Sequence, residues 1–187
     1  IKSFELKKIA NFEYKLFLLY GQNEGLKNEI IKTHFIDKFK SDIFRYDEKE
    51  ILDNRSNFFD GIFSKSFFEE KKVFIVSRVT EKFNDIIEQI IEKEVKDITI
   101  ILNSTVLDKK SKLRKLFEKE KNMICIPVYE DTSQTLNFMA KDFFKEKKIS
   151  ISQETINLLI ERSRGDRGNL TNELNKIEAY MKTRKNI

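Results

Sequence analysis

The chain has 187 residues, 40% hydrophobic and 36% charged, with 5 glycines and 1 proline, a composition that favours a helix-rich α/β protein of one or two domains. The net charge of +5 permits contact with nucleic acid without requiring it, because exposed helix faces account for most of the charge. The single cysteine excludes an internal disulfide, and the single histidine argues against a zinc site or a Ser-His-Asp triad. No apolar run reaches the roughly 20 residues of a membrane span, and we expect a cytoplasmic protein.

Apolar runs and amphipathic segments alternate along the chain as far as residue 128. The apolar runs predict strands at residues 15–20, 42–46, 73–76, 98–102 and 123–128. The amphipathic segments predict helices at residues 2–12, 24–39, 48–63 and 112–120, with a further helix after the N-cap residue Thr80. Strands that are apolar on both faces and alternate with helices predict a five-stranded parallel sheet covered by helices.

The pattern changes after Val128, where a polar stretch is followed by helical segments only. These segments lie near residues 135–145, 153–162 and 169–181. We therefore expect an α/β domain at residues 1–129 and a small all-α lid domain at residues 130–187. A helical bundle of about 58 residues is marginal alone, so we expect the chain to be part of a longer protein.

The stretch after the first strand has the outline of a phosphate-binding loop. A working loop reads G-x-x-x-x-G-K-[ST]: its glycines let backbone N–H groups approach phosphate, its lysine reaches the terminal phosphates, and its hydroxyl binds magnesium. Here Gly21 and Lys27 keep their places, but Leu26 stands at the second glycine and Asn28 at the hydroxyl. We interpret Gly21, Gly25, Lys27 and Asn28 as a degenerate loop.

Other parts of a nucleotide site also depart from the working pattern. Glu24 places a carboxylate at the helix N-terminus, where a phosphate would lie. The third strand runs into Ser77 and Arg78 instead of the acidic residues that hold magnesium. We interpret Lys27 as a solvated helix lysine and expect no catalytic residue, metal or cofactor. The alternative is that this is an ordinary strand–turn–helix with a chance lysine.

Two remaining polar or reactive features have simple structural interpretations. Asn103 and Ser104 follow the fourth strand, where a nucleotide-sensing residue would lie, and we interpret them as caps of the strand end. Cys125 lies within an apolar strand and is interpreted as a core residue.

Four stretches, in order, resemble one known family. They are LLYGQNEGLKNE, DITIILNSTVLDKKSKLRKLFEKE, CIPVYED and GNLTNELNKIEAY. Together they resemble the delta subunit of the bacterial DNA polymerase III clamp loader, which has an AAA+-type (P-loop NTPase-like) fold, over essentially the whole chain. Thr171 stands where ATP-hydrolysing relatives carry a sensing arginine. The family also has a third, helical collar domain, so the resemblance implies that this chain corresponds to the first two domains.

The resemblance implies a function in DNA replication. A delta subunit binds the beta sliding clamp and opens its ring for loading onto primed DNA, without hydrolysing ATP itself. It works in a pentamer with gamma/tau and delta-prime subunits, around primer-template DNA, and belongs to the DNA polymerase III holoenzyme, a DNA-directed DNA polymerase (nucleotidyltransferase). The family's contact is a helix tip with two adjacent apolar residues, which this resemblance places at Phe67 and Phe68, with Ser66 ahead of them.

Physical chemistry partly supports that choice of contact. Adjacent side chains point about 100° apart on a helix, so two neighbouring phenylalanines cannot easily share one core face. The residues around Phe67 and Phe68 are mostly charged, which is typical of an exposed tip. Burying both rings in a partner would contribute roughly 3–6 kcal/mol before entropy costs. The same dipeptide occurs at Phe58–Phe59 and Phe143–Phe144, which are competing candidates.

Two other functions are compatible with the sequence. The first is a divergent AAA+ ATPase or nucleotide kinase in which Lys27 still works. The second is a DNA-binding module that acts through basic residues near the C-terminus, where contact with DNA phosphates would be strongly salt-dependent. Those residues are Arg162, Arg164, Arg167, Lys176, Lys182, Arg184 and Lys185.

Overall fold

The computed structural model describes residues 15–37, 42–64, 72–93 and 98–184. These residues form two compact units, one of residues 15–22 and 27–128 and the other of residues 23–26 and 129–184. The predicted helix at residues 2–12 lies outside the described residues.

Up to residue 127, the described ranges contain five strands and five α-helices, with one helix between consecutive strands except for two between the second and the third. The strands are β1 (Leu16–Tyr20), β2 (Asp42–Asp47), β3 (Lys72–Val79), β4 (Ile98–Ser104) and β5 (Met123–Pro127). The helices are α1 (Glu24–Ile31), α2 (Glu48–Asp53), α3 (Arg55–Phe63), α4 (Asn84–Glu92) and α5 (Lys112–Lys119). All five predicted strands are therefore confirmed, with ends that differ by a few residues.

The strands form one parallel sheet in the order β2-β3-β4-β1-β5. Strand β1 lies between β4 and β5, with Phe17 opposite Ile101 on one side and Ile124 on the other. Every residue of β1 is buried, which is typical of a strand covered by helices on both faces. Because all strands run in the same direction, the loops after them meet at one edge of the sheet.

Most of the apolar runs that predicted the strands are buried in the core of this unit. Phe17, Leu18 and Leu19 are fully buried, and each contributes about 1.5–3 kcal/mol by leaving water. Helix α4 buries Ile86, Ile87 and Ile90 in the cluster that contains Leu18, as its apolar spacing predicted. Cys125 belongs to this cluster and is buried, as expected.

Two helices differ from their predicted extents. The helix expected at residues 48–63 is broken between α2 and α3, because the side chain of Asn54 caps α3 by accepting from the N–H of Asn57. The helix expected at residues 24–39 ends as α1 at Ile31 and continues as a π-helical turn, Lys32–Ile36. Thr80 caps a 3-10 turn, Glu81–Phe83, that leads directly into α4.

The second unit contains three helices: α6 (Ser133–Glu146), α7 (Gln153–Arg162) and α8 (Arg167–Arg184). They bury a small core of their own, and its fully buried members include Ala140, Leu170 and Leu174. Thr132 caps α6 and Ser152 caps α7 by accepting from backbone N–H groups three residues on. The three predicted helices are confirmed.

Candidate functional site

The turn after β1 is built around Gly21, whose φ of +138° is rarely adopted by residues with a side chain. A Cβ at this position would clash with the carbonyl oxygen of Val128. The N–H of Gly21 donates to the carbonyl of Thr105 at 3.1 Å, and the N–H of Val128 donates to the carbonyl of Tyr20 at 2.8 Å. The close approach of these backbones requires glycine here, independently of any phosphate.

The N-terminus of α1 is capped by a side chain of the protein itself. The side-chain oxygen of Asn23 accepts from the N–H of Leu26 at 2.9 Å, which is an N-cap. The Asn23 amide also donates to the carbonyl of Tyr129 at 3.1 Å and to Asp131 Oδ2 at 2.8 Å. The capping group is therefore the amide of Asn23, whereas Glu24 is exposed in the first turn.

Gly25 packs against the start of α8 within the second unit. A Cβ on Gly25 would lie 2.9 Å from the backbone nitrogen of Gly168 and 3.0 Å from Cβ of Arg167. In this chain, Gly25 thus allows two helix N-termini to pack closely, whereas a glycine of a working loop allows the approach of phosphate. Leu26 beside it is half-buried, and Asn28 is exposed.

Lys27 is completely buried, so the interpretation as a solvated helix lysine is wrong. Its Nζ donates to the carbonyl oxygen of Ser104 at 2.6 Å, at the end of β4. The hydroxyl of Ser104 in turn donates to the carbonyl of Val79 at 2.6 Å. These contacts connect α1 to the ends of β4 and β3, and they confirm the expectation that Ser104 caps a strand end.

A buried ion pair holds the start of α8 in the second unit. Arg167 donates to Asp131 Oδ1 at 2.9 Å, and the two side chains are only 13% and 6% exposed. The hydroxyl of Thr135 donates to the same oxygen at 2.8 Å, and the side-chain amide of Asn23 donates to the other carboxylate oxygen, Oδ2. The carboxylate of Asp131 thus collects donors from three separate segments, which stabilises their packing.

The end of β3 carries a basic residue where a magnesium-binding acid would be expected. Arg78 has a φ of 57°, uncommon for a non-glycine residue, and forms an ion pair with Asp47 at the end of β2. Next to this pair, Glu48 accepts from both the N–H and the hydroxyl of Thr80 at 2.8–3.0 Å. The carboxylates of Asp47 and Glu48 at this edge of the sheet therefore both bind to other groups of the chain.

Ser66, Phe67 and Phe68 lie outside the described residues. The residues that flank them are described: Lys72 Nζ donates to the carbonyl of Ser64 at 2.8 Å, to its hydroxyl at 2.8 Å and to the carbonyl of Gly61 at 3.2 Å. Lysine at this place satisfies the last carbonyls of α3 and complements its dipole. Lys72 begins β3, at the opposite end of the strand from the edge where the turn after β1 lies.

The other two phenylalanine pairs have structural roles. Phe58 is 1% exposed and packs edge-on against Phe74, while Phe59 is partly buried and stacks on Phe63. In the second unit, Phe144 is 2% exposed and Phe143 is partly buried in the same core. Each pair therefore contributes to a hydrophobic core.

The basic residues near the C-terminus do not form a purely positive surface in the described part of the chain. Arg162 and Lys176 line an open groove of about 600 Å³ together with Glu173. A hydrogen bond from Lys176, at 2.7 Å, lowers the pKa of that carboxyl. Arg167 is paired as described above, and Lys185 lies outside the described residues, as does the Arg184 side chain.

The side chain of Thr171 turns back on its own helix. Its hydroxyl donates to the carbonyl of Arg167 at 2.8 Å. Within the described ranges, no group of three or more His, Cys, Asp or Glu side chains is placed to hold a metal ion. The same residues include no helix that is both long and apolar enough to cross a membrane.

Comparison with known proteins identifies the fold. No protein-family model and no curated protein matches the chain. The Bacillus subtilis DNA clamp loader delta protein (YqeN) matches with a TM-score of 0.63 at 17% identity, over 95% of this chain and 56% of that chain. Two RuvB variants from Thermotoga maritima match with TM-scores of 0.59 and 0.62 at 14% identity, over 91% of this chain and 56% and 57% of theirs. This chain therefore spans little more than half the length of these structures, and it has their AAA+-type fold.

Proposed function

We propose that this protein is a clamp-loader subunit of the delta type, which binds the beta sliding clamp and opens its ring without hydrolysing ATP. The observation that carries the proposal is the way the chain uses its own phosphate-loop positions. Lys27 is buried on the carbonyl of Ser104, Asn23 caps the helix, and Gly25 packs on α8. An AAA+-type fold whose loop is committed to internal contacts is suited to binding partners and not to phosphoryl transfer.

The choice of a delta subunit among AAA+-type proteins has two sources of support. The first is the ordered set of sequence stretches that resemble this family. The second is the Bacillus subtilis structure, which carries the name of a DNA clamp loader delta protein. On this proposal, residues 1–129 contact the clamp, residues 130–187 form the lid, and the partners are gamma/tau and delta-prime subunits around primer-template DNA in the cytoplasm.

We assign the clamp contact to Ser66, Phe67 and Phe68. The competing pairs at Phe58–Phe59 and Phe143–Phe144 are used in hydrophobic cores, which leaves the third pair as the candidate for a partner. Burying two phenylalanine side chains would contribute roughly 3–6 kcal/mol before entropy costs, equivalent to an affinity factor of about a hundred or more.

The test is binding to the cognate sliding clamp by surface plasmon resonance. Wild type is compared with Phe67→Ala/Phe68→Ala and with Phe138→Ala, a matched control because Phe138 is 60% exposed on α6. We expect the double variant to lose at least about a hundredfold in affinity and the control to bind as wild type. Equal binding by all three would refute the contact, and no binding by any would refute the function.

The competing function, an ATPase or nucleotide kinase with a working Lys27, is tested separately by calorimetric titration with ATP and magnesium. We expect no saturable binding, because the lysine is fully buried and its Nζ contacts the carbonyl of Ser104. Saturable binding that disappears in Lys27→Met would replace our proposal with an enzymatic one.

A further inference from the structure

The segment from Asp108 to Lys121 carries most of the net positive charge of the chain. It contains seven basic and three acidic side chains, a net charge of +4, whereas the whole chain has a net charge of +5. Six of the basic residues are exposed lysines: Lys109, Lys110, Lys112, Lys115, Lys119 and Lys121. The rest of the chain is therefore nearly neutral, and the excess charge lies in and around α5.

Helix α5 holds three of these lysines on one side. Lys112, Lys115 and Lys119 follow an i, i+3, i+7 spacing, which places them within about 60° of one another around the helix and along about 10 Å of its axis. Leu113 and Phe117, on the opposite side, are 0% and 1% exposed and hold the helix on the core. We call Lys112, Lys115 and Lys119 the lysine stripe.

Two acids beside the lysine stripe are bonded to other groups. Glu118 forms an ion pair with Arg114 at 2.8 Å. Glu81 Oε2 accepts from the backbone N–H groups of Lys112 at 2.9 Å and Leu113 at 3.3 Å, where its charge complements the N-terminus of α5. Neither carboxylate is therefore paired with a lysine ammonium group of the stripe.

The acids of α4 lie near one end of the lysine stripe. Asp85 and Glu88 line a pocket of about 750 Å³ together with Lys110 and Lys112. The other two members of the stripe do not line this pocket. The charge that the acids of α4 leave uncompensated is therefore centred on these two lysines.

Within the described ranges, none of the six lysines forms an ion pair. The lysines of α8 differ, since Lys176 and Lys182 are each bonded to a glutamate of the same helix at 2.7 Å. Lys115 and Lys119 are instead like charges one turn apart, which is an unfavourable arrangement on an isolated helix. An anion with closely spaced charges would remove this repulsion, so the surface is suited to a polyanion.

The surroundings of the lysine stripe favour duplex DNA over other polyanionic partners. A helix that binds membranes inserts apolar side chains among the lipids, but Leu113 and Phe117 are buried in the core. Single-stranded DNA is held partly by stacking of its bases on aromatic rings, and the ring of Phe117 is the one aromatic group of this segment. Duplex DNA needs phosphate contacts only, and it carries one charge per about 1.7 Å, more than an acidic polypeptide with one per about 3.3 Å.

We propose that the lysine stripe, extended by the lysines on either side of α5, binds the phosphate backbone of duplex DNA without sequence preference. Each lysine that contacts a phosphate releases a counterion from the DNA, which makes the affinity depend on salt. The assignment deepens the proposed function, in which primer-template DNA is a partner, and it places the DNA contact on α5 and not at the basic residues near the C-terminus. Its argument rests on charge and does not require the contact at Phe67 and Phe68.

The test is fluorescence anisotropy with a labelled duplex of about 20 base pairs, titrated with the whole chain between about 50 and 200 mM NaCl. Wild type is compared with two triple variants that remove the same charge, one from the stripe and one from exposed lysines of the second unit: Lys112→Gln/Lys115→Gln/Lys119→Gln and Lys141→Gln/Lys145→Gln/Lys148→Gln. We expect the stripe variant to bind at least about tenfold more weakly at about 50 mM NaCl, and its slope of log affinity against log salt to be smaller by about 2–3. The control variant should keep the slope of wild type.

Three results would overturn the proposal. The first is a wild type that does not bind the duplex at about 50 mM NaCl. The second is an equal loss in the two triple variants, since the affinity would then depend on net charge alone. The third is competition by single-stranded DNA or poly-glutamate as strong as that by unlabelled duplex at equal charge, which would assign the surface to another polyanion. Phe67→Ala/Phe68→Ala should bind the duplex as wild type does, so that a failure of the clamp contact leaves this result intact.

Discussion

Replacing Lys27 by methionine tests whether this buried lysine is part of the fold. Methionine keeps most of the buried stem and removes the ammonium group that donates to Ser104 at 2.6 Å. A hydrogen bond from a charged group contributes about 1.5–3 kcal/mol to the free energy of unfolding. For a chain of this length, each kcal/mol changes Tm by about 2–4 °C, so we expect Tm to fall by about 3–12 °C.

Thermal unfolding followed by far-UV circular dichroism measures this change. The matched control is Lys115→Met, since Lys115 is exposed on α5; its Tm should stay within about 2 °C of wild type. Millimolar ATP with magnesium should not raise the wild-type Tm, whereas a ligand at 100 times its Kd would stabilise by about 2.7 kcal/mol. A Lys27→Met variant as stable as Lys115→Met, together with a rise of the wild-type Tm in ATP, would refute the reasoning.

Three further changes test the packing and the core. Gly25→Ala should lower the free energy of unfolding by about 1–3 kcal/mol, measured in urea, because its Cβ would meet the backbone of Gly168 at 2.9 Å. Asp131→Asn should cost about 1.5–3 kcal/mol in the same assay by removing the buried charge paired with Arg167, and the loss should persist in high salt. Burial raises the pKa of Cys125 from 9.0 to about 11, so the thiol of the folded state keeps its proton to a higher pH than that of the unfolded state. The free energy of unfolding should therefore fall between these pH values, by at most about 1.4 kcal/mol per pH unit. Cys125→Val should remove this contribution to the pH dependence of the free energy of unfolding.

The sheet could be predicted from sequence because its strands are buried on both faces. Every position of β1 and most positions of β3 and β4 leave water, so their apolar runs are continuous and easily recognised. The ends were less predictable. Strand β3 continues to Val79 through polar Ser77 and Arg78: Ser77 pairs with Asp47 of β2, and the register with β4 shifts between Val76 and Val79 before Val79 pairs with Ser104.

The internal contacts made by the residues after β1 could be predicted only in part. The loss of the second glycine and the hydroxyl is visible in the sequence at Leu26 and Asn28. The Asn23 cap could also have been found, since asparagine before an amphipathic segment is a usual helix start. The burial of Lys27 and the pair between Asp131 and Arg167 depend on tertiary contacts across 77 and 36 residues, which a single sequence does not indicate.

The clamp contact remains a prediction. Ser66, Phe67 and Phe68 were selected by resemblance and by their charged neighbours, and they lie outside the described residues. What the structure adds is indirect: the two competing phenylalanine pairs are engaged in cores.

The most direct test of the central claim is release of the cognate sliding clamp from nicked circular DNA by this protein in the absence of ATP. The account predicts that excess protein accelerates clamp release, that ATP and magnesium do not change the rate, and that Phe67→Ala/Phe68→Ala abolishes the acceleration while Phe138→Ala does not. A clamp that leaves the DNA no faster with the protein than without it, or only when ATP is added, would contradict the account.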